Sequence, residues 1–148
     1  MLRTFSFRVL LLSLLLATVG KIAYAQADPI EGRWFNEEKS AKVHIYKAKD
    51  NKFYGKVEWL KVPNRDGKPK IDGRNPDASK RNQPIVGLVI LKNFKKSGDN
   101  TYEDGTVYDP KNGKNYSCKM TRDGNKLEVR GYVGISMIGR STTWIKAD

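Results

Sequence analysis

The sequence predicts an all-β fold, an eight-stranded antiparallel up-and-down barrel with one long loop. Apolar and polar residues alternate with a period of two through most of the chain after residue 25, as they do in strands with one buried face. Turn signals separate these runs, and each is short enough to close a hairpin. A barrel is the most economical arrangement because closure removes the unpaired edges of an open sheet. A β-sandwich is the alternative.

Eight stretches have the composition of strands, and no stretch after residue 25 shows a convincing helical period. They lie near residues 31–35, 42–48, 53–61, 85–92, 101–108, 115–121, 126–133 and 140–146. Successive side chains of a strand point to opposite faces, so alternate positions are expected to face the barrel interior. The residues expected to do so are Phe53, Val57, Trp59, Tyr116, Cys118, Met120, Leu127 and Val129.

Residues 63–84 interrupt this pattern. The segment holds four of the six prolines, two glycines, six basic and three acidic residues, a composition that argues against any strand there. Loops of this length are typically functional or disordered. Asp72, Asn75 and Asp77 can fold back on their own backbone as Asx turns. We therefore expect an ordered flap over one end of the barrel.

The N-terminal 25 residues have the pattern of a secretory signal peptide. Arg3 and Arg8 precede an apolar stretch at Val9–Val19, and small residues follow at the cleavage site. The stretch has 11 residues, whereas a membrane-spanning helix needs about 20. We expect cleavage after Ala25, or after Ala27, which gives a protein exported to the periplasm or the cell exterior. The barrel domain would then comprise residues 26–148.

The chain is strongly basic, with 28 lysines and arginines against 16 acidic residues. Removal of residues 1–25 takes away three basic residues, which leaves 25 against 16 and a net charge of +9. An exported protein of this charge is expected to meet anionic envelope components, such as lipid head groups or acidic polysaccharide, and not nucleic acid. That the charge only aids solubility is the favoured interpretation, since the lysines are spread along the chain.

The sequence contains little catalytic chemistry. The chain has one histidine and one cysteine, too few for a His/Cys zinc site or a disulfide. Cys118 is expected inside the barrel and His44 outside it, so they do not form a catalytic couple. Glu58 and Asp109 are expected in solvated or turn positions. These observations predict a monomeric protein that is not an enzyme and has no cofactor and no metal.

Gly32-Arg33-Trp34, together with Gly139-Arg140 and Trp144, resembles the signature of lipocalin-like barrels. Five patches spread over nearly the whole domain, these included, resemble an exported bacterial family of unknown function that has such a barrel. The residues that carry the resemblance are Gly32-Arg33-Trp34, Asp72 with Asn75-Pro76-Asp77, Gly105-Thr106-Val107-Tyr108-Asp109-Pro110 with Gly113 and Tyr116, Arg130-Gly131-Tyr132-Val133-Gly134, and Gly139-Arg140 with Trp144. The resemblance implies that Arg140 stacks on Trp34 and, with Gly32, closes the barrel base. Asp104 departs from it, because the family tends toward paired glycines there.

The resemblance also favours a ligand in the barrel over an interior filled by side chains, although eight strands allow either. The predicted ligand-binding residues are Phe53, Val57, Trp59, Tyr108, Tyr116, Met120, Arg130 and Tyr132. Among them, Arg130 is expected to bind an anionic head group at the mouth of the barrel, together with the two tyrosines Tyr108 and Tyr132. The sequence thus predicts a binding protein for a small apolar or amphiphilic molecule. The alternative is an envelope interaction module that binds acidic polysaccharide, lipid head groups or a protein.

Overall fold

The structure is a computed structural model and describes residues 25–135 and 137–148, so the predicted signal peptide up to residue 24 lies outside the described residues. The strands are β1 (Gly32–Phe35), β2 (Ala41–Lys47), β3 (Phe53–Leu60), β4 (Asn64–Arg65), β5 (Lys68–Pro69), β6 (Val89–Lys96), β7 (Thr101–Asp109), β8 (Lys114–Asp123), β9 (Lys126–Tyr132) and β10 (Gly139–Lys146). One turn of 3-10 helix spans Ala78–Lys80. Within the described part of the chain, no helix is long and apolar enough to cross a membrane.

Eight of these strands form a closed antiparallel barrel in the order β1, β10, β9, β8, β7, β6, β3, β2. The short strands β1 and β2 complete the circle, because Trp34 pairs with Lys146 of β10 on one side and with Val43 of β2 on the other. The predicted eight-stranded antiparallel barrel is therefore confirmed. Within the long connection, β4 and β5 form a separate hairpin, so the expectation that this segment holds no strand is wrong.

The fourth barrel strand along the chain, β6, begins later than the sequence predicts. Strand β6 starts at Val89 and not near residue 85, because the apolar residues before Val89 belong to the long connection and make its hydrogen bonds. The Ile85 amide donates to the carbonyl oxygen of Lys70, and the Gly87 amide donates to that of Val57. The strand also continues past Asn93, whose positive φ of 65° marks a bulge that hides the alternation in the sequence.

The barrel has two different ends. The base carries residues 25–31, the turns at 48–52, 97–100 and 124–125, and the C-terminal residues 147–148. The mouth carries the connections 36–40, 61–88, 110–113 and 133–138. From the base upward the interior is filled by side chains that are almost completely buried: Ile30, Trp34, Val43, Ile45, Phe53, Leu91, Phe94, Tyr102, Cys118, Met120, Leu127, Val129 and Trp144.

Close packing of this core depends on glycine at one crowded position. A Cβ atom at Gly105 would lie 2.5 Å from ring atoms of Phe94, so the Phe94 ring occupies the space that any other side chain would need. Such contact leaves no room for a ligand at this level of the barrel. The lower interior is thus a packed core and not a cavity.

Lys146, and not Arg140, covers the Trp34 ring at the base. The Lys146 Nζ lies 4.7 Å from the ring centroid and donates to the carbonyl oxygen of Glu31 at 2.6 Å. The prediction that Arg140 stacks on Trp34 is wrong, because β10 runs from the mouth to the base and places Arg140 opposite Gly131 at the mouth. Burial lowers the pKa of Lys146, and its backbone partners hold the ammonium in place.

A polar cluster also ties the N-terminal segment to the base. The Asp28 carboxylate accepts hydrogen bonds from the Tyr102 hydroxyl and from Lys96 Nζ, the latter at 2.6 Å. Burial by itself raises the pKa of Asp28, but the bonds from Lys96, Tyr102 and the Ile30 amide together bring this pKa below its ordinary value. The charged form of Asp28 therefore stabilises the closed base.

Candidate functional site at the barrel mouth

Several predicted ligand-binding residues are part of the packed core. Phe53, Val57 and Met120 face the interior as predicted, but each is at most 3% exposed. Phe53 and Met120 pack within the core cluster, and Val57 is buried beside it, so none of the three lines an open surface.

Trp59 lies on the outer wall, although its spacing from Val57 predicts an inward position. The pairing of β2 with β3 shifts there, so that Val43 pairs with Val57 but Lys42 pairs with Trp59. This bulge inserts one residue and reverses the face to which Trp59 points. The indole is 39% exposed and packs edge-on against Phe35, 6.1 Å away.

Tyr108 also lies outside the barrel, beneath the long connection. The preceding residue, Val107, packs against the core, so Tyr108 points the other way. Its hydroxyl donates to Oδ1 of the fully buried Asp72 at 2.7 Å, and Asn75 donates to the second oxygen at 2.7 Å. Burial, followed by the bond to Asp72, raises the pKa of Tyr108 to about 12. The residue fixes the connection and does not line the barrel.

Arg130 and Tyr132 complete the set of residues that the structure places outside. Their neighbours Val129 and Gly131 follow the inward phase of β9, which leaves Arg130 and Tyr132 on the outer wall. The Arg130 guanidinium donates to Ser141 Oγ at 3.1 Å and to the carbonyl oxygen of Met137 at 3.3 Å. The predicted head-group site formed by Arg130, Tyr108 and Tyr132 is therefore wrong.

The inner face remains accessible only near the mouth. Tyr116 follows the inward phase of Cys118 on β8, and Gly131 and Arg140 lie opposite each other on β9 and β10. Tyr116 and Gly131 are half-buried and Arg140 is exposed, in contrast to the core below. A Cβ atom at Gly131 would lie in ordinary contact with Val107, at 3.5 Å, and with Tyr116, at 3.6 Å. We call Tyr116, Gly131 and Arg140, with Val107 and Thr142, the mouth cluster.

An ion pair crosses the mouth above this cluster. Lys111 Nζ in the β7–β8 turn lies 3.5 Å from Glu38 Oε2 in the β1–β2 turn. Two barrel strands lie between these turns on each side, β9 and β10 on one and β3 and β6 on the other, so the pair joins opposite sides of the opening. Both side chains are well exposed, and such a pair contributes at most about 1 kcal/mol. It narrows the mouth but does not seal it.

The long connection forms a groove on the outer wall instead of a flap over the end. Its Arg74 carbonyl oxygen lies 1.9 Å from where a Cβ atom at Gly113 would be, so the connection rests directly on the β7–β8 turn. The resulting groove has a volume of about 680 Å³ and is open to solvent. Residues that line it include Asn75, Gln83, Val86, Val89, Lys92 and Tyr108.

The described residues provide binding chemistry more readily than catalytic chemistry. Burial raises the pKa of the Cys118 thiol to about 12, which keeps it protonated and unreactive. Glu58 accepts a hydrogen bond from Arg33 Nη2 at 3.1 Å on the outer wall. No group of three or more metal-ligating side chains occurs within residues 25–135 and 137–148.

Sequence reasoning assigned Arg140 to the base, although a period of two back from Trp144 through Thr142 places it on the inner face.

Comparison with known families agrees with this architecture. Residues 32–146 match the profile of a family described as "Uncharacterized protein conserved in bacteria (DUF2147)". The chain belongs to this family. The match begins and ends with the strands that close the barrel, so it covers the whole barrel and the long connection.

A solved structure shares the fold of this DUF2147 protein. Protein HP1028 from Helicobacter pylori, which is described as belonging to the lipocalin family, superposes with a TM-score of 0.72 at 25% sequence identity. The alignment covers 80% of this chain and 82% of the other. None of the curated proteins compared with the chain matches it significantly. The fold is lipocalin-like, and such folds are typically non-enzymatic and suggest ligand binding.

Proposed function

We propose that this protein is an exported, monomeric, non-enzymatic binding protein that holds a small anionic amphiphile in the mouth cluster. One observation carries the proposal: the inner face is packed from the base up to Cys118, which is completely buried, whereas Tyr116 and Gly131 are half-buried and Arg140 is exposed. A cleft that combines apolar surface with a few polar groups is the usual form of a small-molecule site. The lipocalin-like fold of the family supports the same role.

Arg140 supplies the recognition of negative charge in this proposal. Its guanidinium makes no ion pair within the described residues, and its five donors suit a carboxylate or a similar oxyanion. Thr142 and Tyr116 add hydroxyl groups on the same inner face, while Val107 offers apolar surface below. An amphiphile would place its head group at Arg140 and its apolar part over Gly131.

The packed core limits the size of the ligand. Because Phe94 and its neighbours fill the barrel beneath Gly105, the site is shallow and suits one small molecule and not a long acyl chain. The exposed Lys111–Glu38 pair above the site does not seal it, and opening the pair costs little.

Two fluorescent probes of similar shape test the role of Arg140. 8-Anilinonaphthalene-1-sulfonate is an anionic amphiphile, and N-phenyl-1-naphthylamine has the same aromatic skeleton without the sulfonate. We expect Arg140→Ala to weaken binding of the anionic probe about 3- to 10-fold and to leave the neutral probe unchanged, because only the charge-assisted hydrogen bonds are lost. Arg130→Ala is the matched control, since it removes an arginine from the outer wall of the adjacent strand.

Gly131→Leu tests the location of the site independently of charge. A Cβ at residue 131 would make only ordinary contacts, 3.5 Å from Val107 and 3.6 Å from Tyr116, and thermal unfolding of the variant checks that the rest of the leucine side chain leaves the fold intact. The leucine would fill the space between Val107 and Tyr116 and weaken both probes. Equal affinities in wild type and Gly131→Leu, or loss of anionic binding in Arg130→Ala, would contradict the proposal.

Export is supported by the agreement between the predicted cleavage site and the fold. Cleavage after Ala25 leaves Asp28 and Ile30, which close the base, in the processed chain. The mass of protein purified from its own host tests this proposal: a chain beginning at Gln26 or Asp28 supports it, and an intact N-terminus found in the cytoplasm would overturn it. Native mass spectrometry of the same sample reports any retained small molecule and the oligomeric state.

A further inference from the structure

Aliphatic side chains project into solvent at one side of the mouth. Val133, Ile135, Met137 and Ile138, in the connection from β9 to β10, are all more than half exposed, and Met137 is 85% exposed. Exposed apolar residues that occur singly are ordinary, but several within six positions form a patch that indicates an interaction. We call these four residues the aliphatic tip.

Exposed apolar residues are concentrated in the connections at the mouth end of the barrel. Nine large apolar residues are exposed in the described part of the chain, and seven lie in the connections 61–88 and 133–138, which both leave the mouth. The other two, Trp59 and Ile145, lie on strands. The base has no exposed large apolar residue among those described.

Charge is also divided between the two ends. The mouth connections 36–40, 61–88, 110–113 and 133–138 contain nine basic and five acidic residues, a balance of +4. The base segments 25–31, 48–52, 97–100, 124–125 and 147–148 contain two basic and five acidic residues, a balance of −3. A surface of negative potential would therefore orient the molecule mouth first.

We propose that the mouth end docks on an anionic lipid bilayer, with the aliphatic tip inserted among the head groups and the basic residues of the long connection on lipid phosphates. Basic residues near anionic lipid and aliphatic residues that enter the interface are the two contributions that hold peripheral proteins on membranes. Seven of the nine basic residues of the mouth connections lie in 61–88, which alone has a balance of +4, so the long connection supplies the basic surface for the lipid phosphates. The tip holds only aliphatic side chains and no aromatic or arginine anchor of the kind that dominates protein interfaces. This inference does not depend on the proposed ligand.

Sedimentation with vesicles tests both contributions. The purified protein and its variants, matched in N-terminus by mass spectrometry, are mixed with vesicles of phosphatidylcholine containing 30% phosphatidylglycerol, or of phosphatidylcholine alone. We expect partition onto the anionic vesicles only, reduced by salt. The variant Ile135→Ser with Met137→Ser should reduce partition at least about 10-fold, because two inserted side chains are lost. Ile145→Ser is the control, since it removes an exposed isoleucine from the barrel wall.

A second pair of variants separates orientation from net charge. Arg65→Ser with Lys68→Ser removes two charges from the β4–β5 hairpin at the mouth, and Lys49→Ser with Lys52→Ser removes two from a turn at the base. We expect the first pair to reduce partition about 10- to 30-fold and the second to have little effect.

Three outcomes would overturn the proposal. One is equal partition onto neutral vesicles, and another is an equal loss in the mouth and base pairs. The third is that the protein binds an acidic polysaccharide, such as polygalacturonate, as tightly as it binds anionic vesicles, and that the Ile135→Ser, Met137→Ser variant binds the polysaccharide with unchanged affinity. Probe binding at the mouth cluster, measured without vesicles, reports the proposed function separately.

Discussion

Replacing Tyr108 by phenylalanine tests whether the long connection is an integral part of the fold. The Tyr108 hydroxyl donates to Asp72 at 2.7 Å, and both side chains are buried, so water does not readily replace the lost donor. A hydrogen bond to a charged group contributes about 1.5–3 kcal/mol, and phenylalanine retains the packing of the ring. We therefore expect Tyr108→Phe to lower the free energy of opening the connection by about 1.5–3 kcal/mol.

Limited proteolysis measures this opening because residues 61–88 contain several lysines and arginines that trypsin recognises. When opening is fast relative to cleavage, the cleavage rate follows the population of the open form. The rate of cleavage within this segment should rise about 10- to 150-fold in Tyr108→Phe. Tyr46→Phe is the control, since the half-buried Tyr46 hydroxyl makes no hydrogen bond among the described residues.

A small response would refute this reasoning. If cleavage rises less than about threefold, or equally in the Tyr46 control, the connection is held by something other than the buried carboxylate. Urea denaturation of the same variants shows whether the opening is local, because a local event changes cleavage more than the global free energy of unfolding.

Three further predictions concern the base and the core. The pKa of Asp28 is lower in the folded chain than in the unfolded one, so the stabilisation from its charged form is present above about pH 4 and is lost as the pH falls through the folded value. In urea titrations at pH 7 and pH 3, the free energy of unfolding of Asp28→Asn should therefore fall less between the two pH values than that of the wild type. Lys146→Ala should lower the free energy of unfolding by about 1–3 kcal/mol because it uncovers Trp34. Arg140→Ala, at an exposed residue, should change the free energy of unfolding by less than about 0.5 kcal/mol. A larger effect of Arg140→Ala than of Lys146→Ala would indicate that Arg140 stacks on Trp34, as the sequence resemblance implies. The Cys118 thiol should react with a maleimide only when the protein unfolds, as followed by mass spectrometry in increasing urea, and rapid labelling of the native protein would show that the core is open.

The two ends of the barrel have different physical roles. At the base, Ile30 and Trp34 are completely buried and polar contacts hold the N-terminal segment in place. At the mouth, Gly131 and Arg140 leave the inner face accessible. Stability therefore concentrates at one end, and the groups available for binding concentrate at the other. This separation allows substitutions in the mouth cluster to change affinity with little effect on folding.

At several positions a β-bulge interrupts the alternation on which sequence reasoning relies. Trp59 lies beyond a bulge in β3, and Asn93 lies in another in β6. Asp104, which departs from the glycines of the family, has a φ of 61°, a conformation that glycine adopts freely and aspartate tolerates. Each bulge inserts one residue and reverses the faces that follow, and a local alternation of apolar residues does not reveal the insertion.

Long-range register explains the remaining differences. Tyr108, Arg130 and Tyr132 are exceptions, because alternation with the inward residues Val107, Val129 and Gly131 already places them on the outer wall. Lys146 reaches Trp34 because β1 and β10 meet at that pair, a contact between residues at opposite ends of the domain. Asp72 is buried only because the long connection folds back onto the outer wall.

The sequence by itself determined the class of fold, the number of barrel strands and the family, because a period of two and short turns act between residues that are close in the chain. The tertiary structure decided at which end of the barrel Arg140 lies, which cation covers the base tryptophan and where the long connection rests. Those features depend on pairing between distant strands and on bulges that shift it by one residue, and a shift of one residue moves a side chain from the interior to the surface.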